Sequence, residues 1–229
     1  MSDRPLEPPR SKKLKTDETI EKKKYLVVVL EGCSLEAAKV GKDYVILSSD
    51  KHAKFLMSNK KDPADYRPDI LHQCLLNLLD SPLNRAGLLQ VYVHTRANVL
   101  IEVSPQCRLP RTFDRFCGLM VQLLHKLAVR AADSSQKLLK VIKNPVSIHL
   151  PVGCRKVLMS YSAEKLQLAS SIAKKEEEAP IVVVIGGIAR GKISVDYTEE
   201  DMSISSYPLS AALTCAKITS GFEETWGIL

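Results

Sequence analysis

Two places in the 229-residue chain carry residue types at a spacing that could do chemistry. The first is Gly186-Gly187-Ile188-Ala189-Arg190-Gly191-Lys192, directly after the apolar run Ile181-Val182-Val183-Val184-Ile185. Glycine lets backbone approach a ligand closely because no Cβ intervenes. In open parallel sheets, ligands sit beyond the carboxyl ends of the strands, where such turns lie. The run also fits the GxxxxGK spacing of a phosphate-binding loop. However, position 193 is isoleucine, where that loop needs a hydroxyl for Mg²⁺. Residues 193–197 alternate apolar and polar, which predicts a strand and no helix N-terminus aimed at phosphates. The run is therefore a candidate ligand turn, with a structural turn and a triphosphate site as the alternatives.

The second place is basic. Arg111 and Arg115 are four apart and share a helix face, and Arg108 sits just before the predicted helix start at 110–112. Three guanidiniums beside free backbone N–H groups make an anion site, and arginine suits bidentate contact with phosphate or base edges. Arg67-Pro68-Asp69 offers a fourth arginine, with Asp69 close enough to hold its side chain. The alternative is that these arginines simply pair with Asp69, Asp80 and Asp114. The six cysteines and five histidines are dispersed, with no CxxC and no Cys/His quartet, so reduced thiols and no structural zinc are expected. His125, on a strongly apolar stretch, reads as a packed residue.

A buried strand over 25–30 turns at Gly32 into a short helix over 34–40. A second strand spans 44–48, and Asp50 is a plausible N-cap for a helix to 58. Asp69 opens a helix over 70–79, where an acid suits the positive end of the dipole. Strands 88–95 and 99–104 form a hairpin around Arg96-Ala97-Asn98. The longest helix covers 112–131, with Phe113, Phe116, Met120, Leu123, Leu124 and Leu127 as its apolar stripe. Shorter apolar stretches at 137–143 and 157–161 precede a solvated charge run at 174–178 and the strand at 181–185, which suits burial on both faces. After an acidic loop and a short polar strand, Tyr207-Pro208 leads into a closing helix from 209 to about 226, small-sided at Ala211, Ala212, Cys215 and Ala216.

Composition bounds the answer. At 45% hydrophobic and 26% charged residues the chain is that of an ordinary globular protein. No apolar run approaches the ~20 residues of a membrane span, and the N-terminus is too polar for a signal peptide, so cytosol or nucleus is expected. The formal charge of +7 is compatible with a nucleic-acid partner. Residues 1–23 lack apolar periodicity and read as disordered. Their basic clusters, Arg10 to Lys15 and Lys22 to Lys24, suit a nuclear import signal, an RNA-contacting arm or a solubilising tail.

Five stretches in order carry a resemblance: Arg67-Pro68-Asp69-Ile70, Asp80-Ser81-Pro82-Leu83-Asn84-Arg85-Ala86-Gly87, Pro110-Arg111-Thr112-Phe113-Asp114-Arg115-Phe116, Leu138-Leu139-Lys140-Val141-Ile142-Lys143-Asn144-Pro145 and Tyr207-Pro208-Leu209-Ser210-Ala211-Ala212-Leu213. The chain, from about 25 to 229, resembles the eukaryotic N1-specific pseudouridine methyltransferases of the SPOUT superfamily, which are small-subunit ribosome biogenesis factors. The resemblance implies an α/β fold: a SPOUT-type mostly parallel sheet flanked by helices, with a C-terminal trefoil knot and a small β-hairpin/helix insertion. That domain would fill 24–229, with the cofactor-binding knot in about 138–229.

It further implies S-adenosyl-L-methionine as cofactor, touching Met159, Gly186, Gly191, Ile204, Ser205, Ser206, Tyr207, Pro208 and Leu209. Arg67, Arg108, Arg111 and Arg115 would contact RNA, with Asp69 fixing Arg67. The implied partners are small-subunit rRNA, a second copy in a homodimer and pre-ribosomal assembly factors, with no membrane, in the nucleus and nucleolus. No catalytic residue and no metal ligand is assigned. One departure is visible: Val157-Leu158-Met159-Ser160 is bulky where a small pair would be expected beside the cofactor. The competing functions are a non-catalytic rRNA-binding assembly factor and a P-loop-like phosphotransferase.

Overall fold

The computed structural model describes residues 24–132, 135–173 and 179–229. The readings of the tail at 1–23 and of the charge run at 174–178 lie outside the described residues. An eight-stranded sheet organises the rest. Its elements are β1 (Leu26–Cys33), β4 (Leu89–Thr95), β5 (Leu100–Val103), β6 (Ala128–Arg130), β7 (Lys137–Ile142), β8 (Arg155–Met159), β9 (Ile181–Gly186) and β10 (Glu200–Met202), in the order β10-β8-β9-β1-β4-β5-β7-β6. The five strands from β10 to β4 are parallel, and β5, β7 and β6 extend the sheet antiparallel. The expected hairpin of 88–104 is the β4–β5 pair.

The apolar runs of β1 and β9 have no polar alternation because both faces are covered. On one face Leu26, Val28, Leu30, Ile181, Val183 and Ile185 pack against α2 (Pro68–Asp80) and α6 (Ala211–Trp226) through Leu71, Leu75, Leu78, Cys215, Ile218 and Phe222. On the other, Val27, Val29, Val182 and Val184 meet Val146, Leu150, Ile193, Val195 and Tyr197, which belong to loops and a 3₁₀ turn. Helices thus flank one face of the parallel half, and irregular chain seals the other. The remaining helices are α1 (Ser49–Ser58), α3 (Pro82–Arg85), α4 (Phe113–Lys126) and α5 (Ala169–Ile172).

Four local expectations are corrected. Residues 34–40 form no helix: β2 (Ala37–Val40) pairs antiparallel with β3 (Asp43–Ile46) around Gly41-Lys42, with Gly41 at φ +67°. A two-residue turn opening on glycine is a hairpin signal that outweighs helix propensity. The N-cap of α1 is Ser48, in extended conformation, and Asp50 sits inside the first turn. The long helix stops at Leu127, which is left-handed (φ 59°) and 57% exposed, so it leaves the apolar stripe. The next three residues pair with β7, because an edge strand captures them before the helix can continue. Finally, 193–197 is no strand. Its alternation is real, but Ile193, Val195 and Tyr197 bury against the sheet face without ladder hydrogen bonds.

Candidate functional site

A cleft of about 610 Å³ opens beyond the carboxyl ends of β8, β9 and β10, within the size range of small-molecule sites. Met159 from β8, Gly186 from β9, Gly191 from the following loop, and Ile204, Ser205, Tyr207, Pro208 and Leu209 from the turn before α6 all line it. Ser206 lies in the same turn, exposed, and does not line the cleft. The bulky residues at 157 and 158 point into the two cores, leaving Met159 at the cleft. The opposite wall is the start of α2, through Arg67, Ile70 and Gln73.

Local sequence explains the shape. A Cβ on Gly186 would lie 2.8 Å from Cγ1 of Ile193, so glycine there lets the loop fold back over the strand end. Gly191 has φ +92°, a conformation side chains rarely adopt. No backbone N–H of residues 188–192 bonds to protein among the described residues, so these donors are available to a bound ligand. The 203–207 turn is set by Ser203, a buried residue that sequence reasoning did not single out. Its hydroxyl donates to the Ser205 carbonyl (2.8 Å), and Ser205 Oγ accepts from the Tyr207 N–H (3.0 Å). Serines two apart that bond local backbone are the one signal that could have found it.

The ionisable residues lining the cleft are Arg67, Arg190, Lys192, Tyr161 and Tyr207; none is Asp, Glu or His. Arg190 crosses the mouth to the carboxylates of Asp62 and, at 3.6 Å, Asp65. The GxxxxGK run therefore has no helix behind it and no hydroxyl after its lysine.

Of the four arginines, Arg67 lines the cleft. Arg67 donates to Asp69 through Nε (2.8 Å) and Nη2 (2.7 Å), a fork that fixes its plane. Arg111 pairs with Asp80 in the same two-point manner, Nη2 to Oδ1 being 3.1 Å. Asp114 instead pairs with Lys51. Arg108 and Arg115 are exposed, and neither makes an ion pair among the described residues. α4 begins at Phe113, and its N-cap Thr112 makes no side-chain cap bond. Arg67 thus lines the cleft, while Arg108, Arg111 and Arg115 sit outside it.

His72, another residue the sequence did not flag, holds this segment. Its Nε2–H donates to the Pro110 carbonyl (2.8 Å), and its ring stacks on Phe116 with centroids 4.4 Å apart. Cys107, beside Arg108, is no thiolate: burial pushes its pKa up to about 11 against the pull of Arg108.

The sequence and the fold both match known proteins. The sequence profile of the EMG1/NEP1 methyltransferases fits residues 28–223. Among curated relatives, "Ribosomal RNA small subunit methyltransferase nep-1" of Caenorhabditis elegans is 68% identical over 222 residues, covering 97% of this chain and 96% of the relative. "Ribosomal RNA small subunit methyltransferase NEP1" of Homo sapiens is 65% identical over 204 residues, covering 89% and 83%. Among solved structures, Archaeoglobus fulgidus Nep1 bound to S-adenosylhomocysteine superposes with a TM-score of 0.73 at 24% identity, covering 90% of this chain and 99% of that one. With a profile match over most of its length and relatives at such identity, the chain belongs to the EMG1/NEP1 methyltransferase family.

Proposed function

We propose that the protein transfers the methyl group of S-adenosylmethionine to N1 of a pseudouridine in small-subunit ribosomal RNA. The observation that carries this reading is that Arg67 belongs to both features. It lines the cleft at the strand ends and, held by Asp69, stands at the start of α2, whose other end carries the Asp80–Arg111 pair. A backbone bound along these arginines brings an extruded base to the cleft mouth. The A. fulgidus Nep1 structure holds S-adenosylhomocysteine, and the same class of ligand suits a cleft rich in free amides and poor in carboxylates.

S-adenosylmethionine supplies an electrophilic methyl, so the chain's task is alignment more than activation. The free amides of 188–192 and the 203–209 turn hold the adenosyl end. Arg67, Arg190 and Lys192 put positive charge where N1 must lose its proton, which favours the anionic base. In uridine N1 carries the ribose, whereas in pseudouridine C5 does and N1 is free to accept the methyl.

Several finer points belong to the same reading. A C-terminal trefoil knot is supported by the chain's course: from β9 it crosses back beyond β8 to form β10, then returns as α6. A homodimer is supported by Tyr161, Leu166, Leu168, Tyr207 and Leu213, large apolar side chains 45–76% exposed along the C-terminal segment. Action on small-subunit rRNA goes with work in the nucleus and nucleolus beside other assembly factors.

The test is transfer of labelled methyl to a pseudouridine-containing small-subunit rRNA hairpin and to the same hairpin with uridine. Label on the pseudouridine hairpin alone is expected. Equal label on both, or RNA binding with no transfer, overturns the reading. In the same assay format, Arg111→Ala is expected to weaken hairpin binding about tenfold and to reduce the salt slope by about one. An unchanged affinity and slope would remove Arg111 from the RNA face.

A further inference from the structure

The sheet face opposite the cleft holds a polar cluster that the proposed reaction does not use. Glu31, near the end of β1, is only 6% exposed. Its Oε1 accepts from the Tyr197 hydroxyl at 2.6 Å, and its Oε2 lies 2.8 Å from Nδ1 of His94 on β4. Nε2 of His94 lies 2.9 Å from Oδ1 of Asn98. Both ring nitrogens therefore face acceptor oxygens, an arrangement that suits the doubly protonated imidazolium. Glu31 has a second bond that gives the cluster its meaning: its backbone carbonyl accepts from the Gly187 N–H at 2.7 Å.

One residue thus fastens both ends of the stretch 187–197. Gly187 is bound by the Glu31 main chain and Tyr197 by its carboxylate, and between them residues 188–193 form a wall of the cleft. Beyond these two bonds, the stretch is held by the partial burial of Ile193, Val195 and Tyr197 against the sheet face and by Arg190 pairs with Asp62 and Asp65 that are exposed, where ion pairs contribute little. We infer that Glu31, Tyr197 and His94 form a strut, a set of positioning residues that holds the 187–197 loop in its cofactor-binding shape. The inference rests on reading the cleft as the S-adenosylmethionine site.

The charges around the strut are consistent with this. Burial pushes the His94 pKa down, but the bonds to Asn98 and Glu31 outweigh it and the net direction is up. Burial, then Glu31 and Asp196, hold the Tyr197 hydroxyl protonated as a donor. Cys33, on β1 beside Glu31, stays a neutral thiol because burial, Cys74 and Glu31 all raise it. Protonation of His94 is therefore favoured within the strut. A raised histidine contributes fully below its ordinary value of about 6.5 and loses its contribution as pH rises through the raised folded value.

The experiment is calorimetric titration of S-adenosylhomocysteine into wild type, Tyr197→Phe and Glu31→Gln across that pH range, with thermal melting of each. Tyr197→Phe removes one oxygen and leaves the ring packing. Its Kd is expected to rise about tenfold, with KM for the cofactor rising in step and kcat changing less. Wild-type affinity is expected to fall as pH rises past the His94 transition, and Glu31→Gln to flatten that profile. Wild-type affinity in Tyr197→Phe overturns the strut, whether or not its melting temperature falls; so does an unchanged pH profile in a folded Glu31→Gln. If wild type itself bound no S-adenosylhomocysteine, the cofactor reading of the cleft would fall and the strut's role with it.

Discussion

Gly186→Ala is expected to bind S-adenosylhomocysteine at least tenfold more weakly than wild type while keeping most of its thermal stability. The added methyl would sit 2.8 Å from Cγ1 of Ile193, closer than such atoms approach in proteins. Ile193 is β-branched and has little rotamer freedom with which to retreat, so the relief comes from the loop, whose stretch 188–193 lines the cleft. Overpacking of this kind costs about 1–3 kcal/mol, and a loop moved off its position loses the amides that face the ligand. A double-mutant cycle with Ile193→Ala checks the cause: the two losses should be markedly less than additive. Additive losses, or unaltered binding in Gly186→Ala, would mean that the glycine does not shape the cleft.

A large loss of stability, by contrast, is expected from Gly221→Ala. Gly221 lies in α6 where α5 crosses it, and a Cβ there would stand 2.6 Å from the backbone carbon of Ala169 and the backbone nitrogen of Ser170. Backbone cannot rotate away as a side chain can. The two helices must separate, straining the bond from Thr225 Oγ1 to the Ser170 carbonyl (2.8 Å). The cost should be at the upper end of the overpacking range, about 3 kcal/mol. In a chain of this size that lowers the melting temperature by roughly 6–12 °C. A melting curve within a degree of wild type would show that α5 is free to shift.

What could be read from the sequence follows what was local. β1 and β9 are visible because burial on both faces removes every polar residue from Leu26 to Leu30 and from Ile181 to Ile185. The Arg67–Asp69 fork spans two positions and is legible as a pair. Arg111 finds Asp80 across thirty-one positions; the sequence names Asp69, Asp80 and Asp114 together as the alternative partners of the arginines, and of these Asp114 pairs with Lys51 instead. The alternation of 193–197 was sound as a statement about burial and wrong as a statement about hydrogen bonding. A chain segment can alternate against a sheet face without joining a sheet.

The Glu31 strut left no trace in the sequence. Its members stand at 31, 94 and 197, and a lone acid after an apolar run looks like the end of a strand. Likewise the composition could suggest an RNA face and the glycines a ligand turn. Only the packing of α2 against the sheet brings Arg67 to the cleft.

The most direct measurement is a crystal structure of the protein with S-adenosylhomocysteine. The adenosyl group is expected between the 188–192 amides and the turn at Ile204 to Leu209, with the sulfur turned toward Arg67. A ligand bound elsewhere, or a cleft that takes up ATP with its phosphates on the GxxxxGK run and leaves the adenosyl compound in solution, would contradict it.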